Sequence, residues 1–311
     1  MKSLDVTVII PVRNGADFIC EALESVFMQS EPPAEIVVVD DGSTDGTREI
    51  IQLQYGSRVR IIDGPQTGAG PARNVGVMSA TTRLIAFLDA DDRWHPEKLA
   101  RQLSVFEPGT VLGTYADFFV STKTGQRFFG TSIRTQTDQE ADRLVKTGSA
   151  LPALLSSWLF ERESFIAIGA FDPDYVFAQD FEIAIRFSIN GFEFRVIRES
   201  LLDYRIHQTS ETFTNYVSQR MFADFSKYKH ITLGELGLDQ WSNVFWSRTQ
   251  VRRAKAGFYF RLGLGGLGQT VPLRALALLA LSLTLDPKGF VNKLKKQSDV
   301  KLLLRNKKIL E

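Results

Sequence analysis

The 311-residue chain contains one cysteine, Cys20, so no internal disulfide can form and a reducing compartment is the expected setting. No secretory leader is expected, because the apolar run at 6–12 is short, contains Pro11 and follows Asp5. A bilayer-length segment is also missing. The longest charge-free apolar stretch, 275–285, is about half of the ~20 residues a spanning helix needs. There is no internal repeat and no low-complexity block, which excludes solenoids and arrays. Net charge is nearly absent, with 37 Lys and Arg against 36 Asp and Glu. That balance hides an asymmetry. Residues 251–311 carry 13 basic and 3 acidic side chains, a net of +10, and the first 250 residues sum to −9. A basic tail suits an anionic surface, either lipid or nucleic acid, and no nucleic-acid-binding motif accompanies it, so no nucleic-acid partner is expected.

Hydrophobic residues make up 44% of the chain and charged ones 23%, an ordinary globular balance sufficient for one large domain with an appendage or two modest domains. The first hundred residues alternate strand and helix signals. Apolar, β-branched runs at 6–10, 35–39, 59–62 and 84–88 read as buried strands. Segments 17–29, 44–55, 69–80 and 96–106 read as helices, the last with Pro96 at its start. Further strands are expected at 111–119, 192–196 and 198–204, and a helix at 180–190. This order predicts an α/β fold with a doubly wound sheet, whose ligands sit at the carboxyl ends of the strands. The boundary to a helical, basic, amphipathic C-terminal region falls near residues 216–229, giving domains at 1–225 and 226–311.

Two of those strand ends are acidic. Val39-Asp40-Asp41-Gly42-Ser43-Thr44-Asp45 follows the second strand. Asp41 there can accept from a base N–H or a ribose hydroxyl, or be a turn residue. Thr44 and Asp45 suit the cap of the next helix. Leu88-Asp89-Ala90-Asp91-Asp92 follows the fourth strand and puts three carboxylates within four residues. Like charges at that density call for a cation or solvent between them. Carboxylate oxygens suit Mg²⁺ or Mn²⁺, with substrate phosphates completing the shell. Asp180 and Glu182 read either as surface acids at a helix start, favoured by the dipole, or as a site carboxylate flanked by apolar residues. His207 reads as a metal or phosphate ligand or as a loop histidine, and Trp158 as a sugar-stacking platform or a core residue.

Five segments in order make the chain resemble a family 2 glycosyltransferase of the GT-A fold, of the type that builds bacterial surface polysaccharide. They are Val8-Ile9-Ile10-Pro11-Val12-Arg13-Asn14, Val39 to Asp45, Gly68-Ala69-Gly70-Pro71-Ala72-Arg73-Asn74-Val75-Gly76, Asp89 to Asp92, and Gln179-Asp180-Phe181-Glu182. The resemblance implies a mixed, Rossmann-like sheet that binds a nucleotide diphosphate sugar, most simply a UDP-sugar. It implies inverting transfer of a hexosyl or N-acetylhexosaminyl group to an acceptor hydroxyl on a saccharide or lipid-linked saccharide. By position, Pro11, Val12 and Asn14 would line the base pocket and Asp41 would bond the base. Arg73 would sit against base or phosphate, within the Gly68-led segment. Asp89 and Ala90 would meet the donor, with Asp89, Asp91 and His207 as metal ligands and Asp92 as the alternative to Asp91. Asp180 would be the catalytic base. Gln179 departs from the family pattern, which has Glu there, and Gln66 stands where Asn is frequent.

Two other functions compete: a sugar nucleotidyltransferase, disfavoured because Pro11-Val12-Arg13-Asn14 replaces a Gly-rich phosphate loop, and a non-catalytic nucleotide-sugar binder, disfavoured because Asp89, Asp91 and Asp180 are all present. The tail alternates Phe290, Val291 and Leu294 with Lys293, Lys295 and Lys296. It reads as a peripheral contact with the anionic cytoplasmic face of the inner membrane, or as a packing surface for a helical domain or a homodimer. A cytoplasmic location accords with either. Flotation with anionic liposomes is expected to carry the whole chain and not a chain lacking 270–311; equal flotation rejects the membrane reading.

Overall fold

Apolar runs that alternate nothing polar along their length need cover on both faces, and the computed structural model supplies it. The structure describes residues 4–107, 111–122, 127–130, 154–173, 175, 177–190, 192–207 and 287. Strands β1 (Leu4–Val12), β2 (Pro33–Asp40), β3 (Arg60–Asp63) and β4 (Leu84–Phe87) are joined by helices α1 (Ile19–Phe27), α2 (Thr47–Tyr55) and α3 (Ala69–Ser79). They pair in parallel in the order β3-β2-β1-β4. Side chains divide by the period of two. Ile9, Val37, Val39, Ile85 and Phe87 enter one core cluster with α3. Val8, Ile10, Ile36, Val38, Leu84 and Ala86 enter another with α1 and α2.

The second half extends the sheet with reversed and long strands. The chain continues through β5 (Arg93–Trp94), α4 (Lys98–Ser104), β6 (Val111–Thr122) and β7 (Arg127–Gly130). It resumes with β8 (Leu159–Glu161), α5 (Arg162–Ala167), α6 (Gln179–Ile189) and β9 (Glu193–Ile206). β8 runs antiparallel between β4 and β6, β9 is parallel to β6, and two-residue β5 closes antiparallel on β9. The sheet is therefore mixed, as expected, and nine-stranded among the described residues. The strands expected at 192–196 and 198–204 are one strand. Its partner register slips near Asp117, and the irregularity there breaks the alternation that would have marked it as continuous. The expected boundary near residue 225 and the helical tail lie outside the described residues. Pro287 apart, those residues all belong to one compact unit. Among them no helix is long and apolar enough to cross a membrane.

Two local features position the carboxyl edge. Pro11 lies inside a central strand, which proline normally cannot occupy. Its N faces the β4 side, because Ile9 two residues earlier accepts there from Leu88 N at 3.1 Å. The ladder with β4 ends at Ile9 opposite Phe87, so no ladder bond is lost. Gly76 lets α3 lie against the sheet. A Cβ there would overlap Ile9 Cγ2 and sit 3.2 Å from Val39 Cγ2. Gly76→Ala is expected to lower stability by about 1–3 kcal/mol through overpacking, measured as a lowered denaturant midpoint with an unchanged slope.

Candidate active site

The loops that leave β1 and β2 are zipped together before any ligand is considered. Asn14 Oδ1 accepts from Thr44 N at 2.8 Å, Asn14 N donates to Ser43 Oγ at 3.0 Å, and Gly15 N donates to Thr47 Oγ1 at 3.0 Å. Asp45 accepts from Ala16 N at 3.0 Å and from Thr47 N, the first residue of α2, at 3.1 Å, so of the two expected cap candidates it is the one whose side chain reaches the helix start, with Gly46 at the N-cap position. Desolvation by its neighbours pushes the Asp45 carboxyl up, although the residue is exposed. The hydrogen bonds from the Thr47 side chain and from the backbone of Ala16 and Thr47 outweigh it and hold the carboxyl below its ordinary value. Asn14 has φ 55°, a left-handed conformation that Asn tolerates better than most residues. Pro11 and Val12 are buried. Val12 turns its side chain into the core and presents its carbonyl to Asp41 N, at 2.8 Å.

Asp41 is 3% exposed and faces inward. One carboxylate oxygen accepts from Gln66 N at 2.6 Å and the other from Gly68 N at 2.9 Å. These bonds hold the loop after β3, whose Gln66 and Gly68 have φ of 60° and 110°. Each oxygen keeps a second lone pair for a ligand.

Across the edge, Arg73 on α3 is buried. Its Nη2 pairs with Asp89 Oδ1 at 2.5 Å and its Nη1 donates to Gln179 Oε1 at 2.8 Å. Its guanidinium lies 5.8 Å from the Phe171 ring centroid. Asn74 fixes Phe171 by exchanging two hydrogen bonds with its backbone, at 2.8 and 3.0 Å. Asp89 N donates to Ser156 Oγ at 3.0 Å. Asp180 stands at the start of α6, half-buried, with Oδ1 accepting from Phe181 N at 2.8 Å. Burial pushes its carboxyl above the ordinary range. The Phe181 N–H and the charge of Arg73 oppose that rise, and Asp89 adds to it.

The acidic loop is clamped by the end of β9. Arg205 N donates to Asp92 Oδ1 at 3.1 Å, and Arg205 Nε donates to the Asp91 carbonyl. His207 Nε2 lies 2.9 Å from Asp91 Oδ2, and its ring stacks on Phe18 at 4.5 Å. Arg205 also pairs with Glu21 at 3.0 Å. Arg93 bridges Glu21 and Asp203 at 3.0 and 2.6 Å. Asp92 is fully buried. Desolvation first, then Asp91 and Asp89, raise it well above the ordinary value, against bonds from Ser156 and Arg205. Asp91 keeps 30% of its side chain exposed. It is raised by desolvation and by Asp89, with His207 opposing. Ala90, between them, packs partly on the core.

The pattern thus brings Asp89, Arg73, Gln179 and Asp180 to one side of the edge and Asp91 with His207 to the other. Trp158 is a core residue, 1% exposed, stacked on Phe160 and edge-on to Phe194, and it offers no face to a sugar. Arg205, Glu21 and Ser156 went unassigned in the sequence. A cation two residues before His207 was the available signal for Arg205. Among the described residues no group of three or more His, Cys, Asp or Glu converges as a metal site. Asp91 and His207 do converge, as a carboxylate oxygen and an imidazole nitrogen. Two protein donors with the remaining positions left to substrate oxygens is a fitting set for Mn²⁺ or Mg²⁺.

Comparison with known proteins bears on this edge. The model of the family described as glycosyl transferase family 2 matches residues 7–169. The putative teichuronic acid biosynthesis glycosyltransferase TuaG of Bacillus subtilis is 35% identical over 150 residues, 47% of this chain and 54% of that one. The chain spans about a third to a half of the length of such curated relatives. Among solved structures, S. aureus TarS 1-349 in complex with UDP-GlcNAc superposes with a TM-score of 0.59 at 15% identity, covering 91% of each chain. Mannosyltransferase PcManGT from Pyrobaculum calidifontis in complex with GDP-Man and Mn²⁺ gives 0.57 at 20% identity, covering 98% of this chain and 87% of that one. These likenesses establish the GT-A fold.

The Asp41 geometry carries a prediction that needs no nucleotide. Asp41→Ala strands the Gln66 and Gly68 N–H groups and is expected to cost about 1–3 kcal/mol in ligand-free denaturant melts; wild-type stability would show the carboxylate to be held for ligand contact alone.

Proposed function

The chain belongs to glycosyl transferase family 2, and from that premise we propose that it transfers a sugar, with inversion, from a nucleotide diphosphate donor to an acceptor hydroxyl. The observation that carries this reading is the set of polar contacts at one sheet edge: Arg73 paired with Asp89 at 2.5 Å and bonded to Gln179 beside Asp180, and His207 paired with Asp91 at 2.9 Å on the same acidic loop. Support for a nucleotide diphosphate sugar comes from the fold neighbours, one solved with UDP-GlcNAc and one with GDP-Man. A UDP-sugar is the donor we assign, and a saccharide or lipid-linked saccharide the acceptor.

In this reading the nucleoside lies over the zipped loops, against the carbonyl of Val12 and the outer lone pairs of Asp41, with Asn14 and Gly68 holding the two sides of that floor. The diphosphate lies toward Asp91 and Arg73. Asp91 and His207 would hold Mn²⁺ or Mg²⁺, which would supply Lewis-acid stabilisation to the departing phosphate oxygens. Arg73 already donates one bond to Asp89 and one to Gln179 and so offers fixed positive potential rather than a mobile clamp. Asp180 accepts the acceptor's proton as the new bond forms. Its raised proton affinity suits that task, since a base poised nearer the working pH takes a proton more readily. Attack from the Asp180 side with departure toward Asp91 inverts the anomeric centre. No second carboxylate is assigned as a nucleophile.

The test is release of nucleoside diphosphate from a panel of nucleotide sugars with Mn²⁺ or Mg²⁺. One donor is expected to react, with loss on chelation. Asp180→Asn is expected to lower kcat by about 10²–10⁴-fold, and Asp91→Ala to abolish the metal response. A group that must be deprotonated to act, and whose affinity for protons is raised, places the acid limb of kcat above the ordinary carboxylate range, with activity falling as pH drops through it. Absence of release from every donor, together with absence of nucleotide binding by calorimetry, would overturn this reading.

A further inference from the structure

Gln179 occupies a position that demands a group able to donate and accept at once. Its Nε2 donates to the Tyr175 carbonyl at 2.9 Å and its Oε1 accepts from Arg73 Nη1 at 2.8 Å. The two partners fix the orientation of the amide, since a carbonyl oxygen takes only a donor and a guanidinium only an acceptor. The side chain is 8% exposed and lies flat against α3. A Cβ on Gly70 would come within 2.8 Å of Nε2 and 3.0 Å of Cδ. The residue before it, Ala178, has φ 55°, so the chain makes a left-handed step immediately ahead of α6. A non-glycine residue holds such a step when its surroundings over-determine it. The Gln179 amide, pinned on both sides, is positioned to do that.

We propose that Gln179 is a positioning residue, whose amide links the Tyr175 carbonyl to Arg73 and thereby sets where the Asp180 carboxylate stands relative to Arg73 and Asp89. The meaning of Asp180 as a base rests on the glycosyl-transfer reading; the geometric role does not. A glutamate at 179 has two acceptors and no donor when ionised. One oxygen would serve Arg73, and the other would face the Tyr175 carbonyl across hydrogen-bond distance, with Gly70 close behind it and little water to intervene. It would also add a negative charge one residue from Asp180 and divide the charge of Arg73 between two carboxylates. The charged groups facing Asp180 are Arg73 from α3 and Asp89 from the end of β4. On its own helix, Glu182 is tied to Arg186 at 2.6 Å. The amide thus supplies the linkage while leaving that charge balance alone.

Two variants of the full chain separate linkage from charge. Gln179→Met removes both hydrogen bonds and adds no charge. Gln179→Glu keeps the bond to Arg73, loses the donor and adds a charge. Carboxyl carbon NMR, with the Asp180 signal assigned by its loss in Asp180→Asn, reads the titration of Asp180 without turnover. In Gln179→Glu its midpoint is expected to move up by about half a pH unit or more. In turnover, both variants are expected to lose about tenfold or more in kcat, with donor KM within about twofold. An unmoved Asp180 midpoint in Gln179→Glu, or a Gln179→Met enzyme with wild-type kcat, would overturn the proposal. Should the wild-type chain turn over no donor, the transfer reading fails alone and the titration decides the role of Gln179.

Discussion

A buried guanidinium fixes this site. Arg73 is 6% exposed, and a cation so placed is held at large cost unless paired and hydrogen-bonded. Its two nearest partners come from the end of β4 and the start of α6. Packing α3 on the sheet therefore obliges those two segments to arrive together. The same requirement explains why four aspartates can share one sheet edge. Asp89 is neutralised by Arg73, Asp91 by His207 when that ring carries a proton, and Asp92 is withdrawn into the core against Arg205. Asp180 remains near an established positive charge. Remove the guanidinium and the remaining carboxylates repel one another across a half-buried floor, where solvent screens them weakly.

The parallel half of the fold was legible because its physics is local. β-branched runs, each followed by a turn residue and a helical stripe, allow few other arrangements, and Val37, Val38 and Val39 alternate between two covered faces as such runs must. The acids at 40–41 and 89–92 stood out by the same logic, as polar residues where an apolar strand stops. What failed to show was non-local. β5 is two residues long and exists by pairing with Leu202 and Asp203. No periodicity can announce a segment of that length. β8 is three residues long and lies between strands distant in sequence. Trp158 carried an ambiguous signal, since an aromatic residue among serines reads equally as platform or core; Phe160 of β8 stacked on it and Phe194 of β9 set edge-on to it made it core.

The choice between Asp91 and Asp92 shows the same limit from another side. Adjacent carboxylates point in different directions, and sequence spacing says nothing about which turns outward. Pairing of β5 with β9 turns Asp92 beneath the Arg205 backbone and leaves Asp91 beside His207. Residues that the family pattern places at the base pocket already carry structural bonds. Asn14 and Asp41 staple loops that a nucleotide would otherwise have to order on binding. Their bonds are formed in the ligand-free chain, so less conformational freedom remains to be lost on association.

Closure of the sheet by β9 also orders events in time. Asp91 and His207 are 116 positions apart, and β9 pairs along its length with β6, far earlier in the chain. On a ribosome the four parallel strands and the zipped loops emerge with partners already at hand. The acidic loop must wait for some hundred further residues before Arg205 and His207 reach it. During that interval a nascent chain carries the zipped loops without the strand that clamps the acidic loop, and its three clustered aspartates lack the partners β9 supplies. Contacts of such separation are late and slow to form. A truncated product ending before β9 would thus lack every contact that Arg205 and His207 make with the acidic loop.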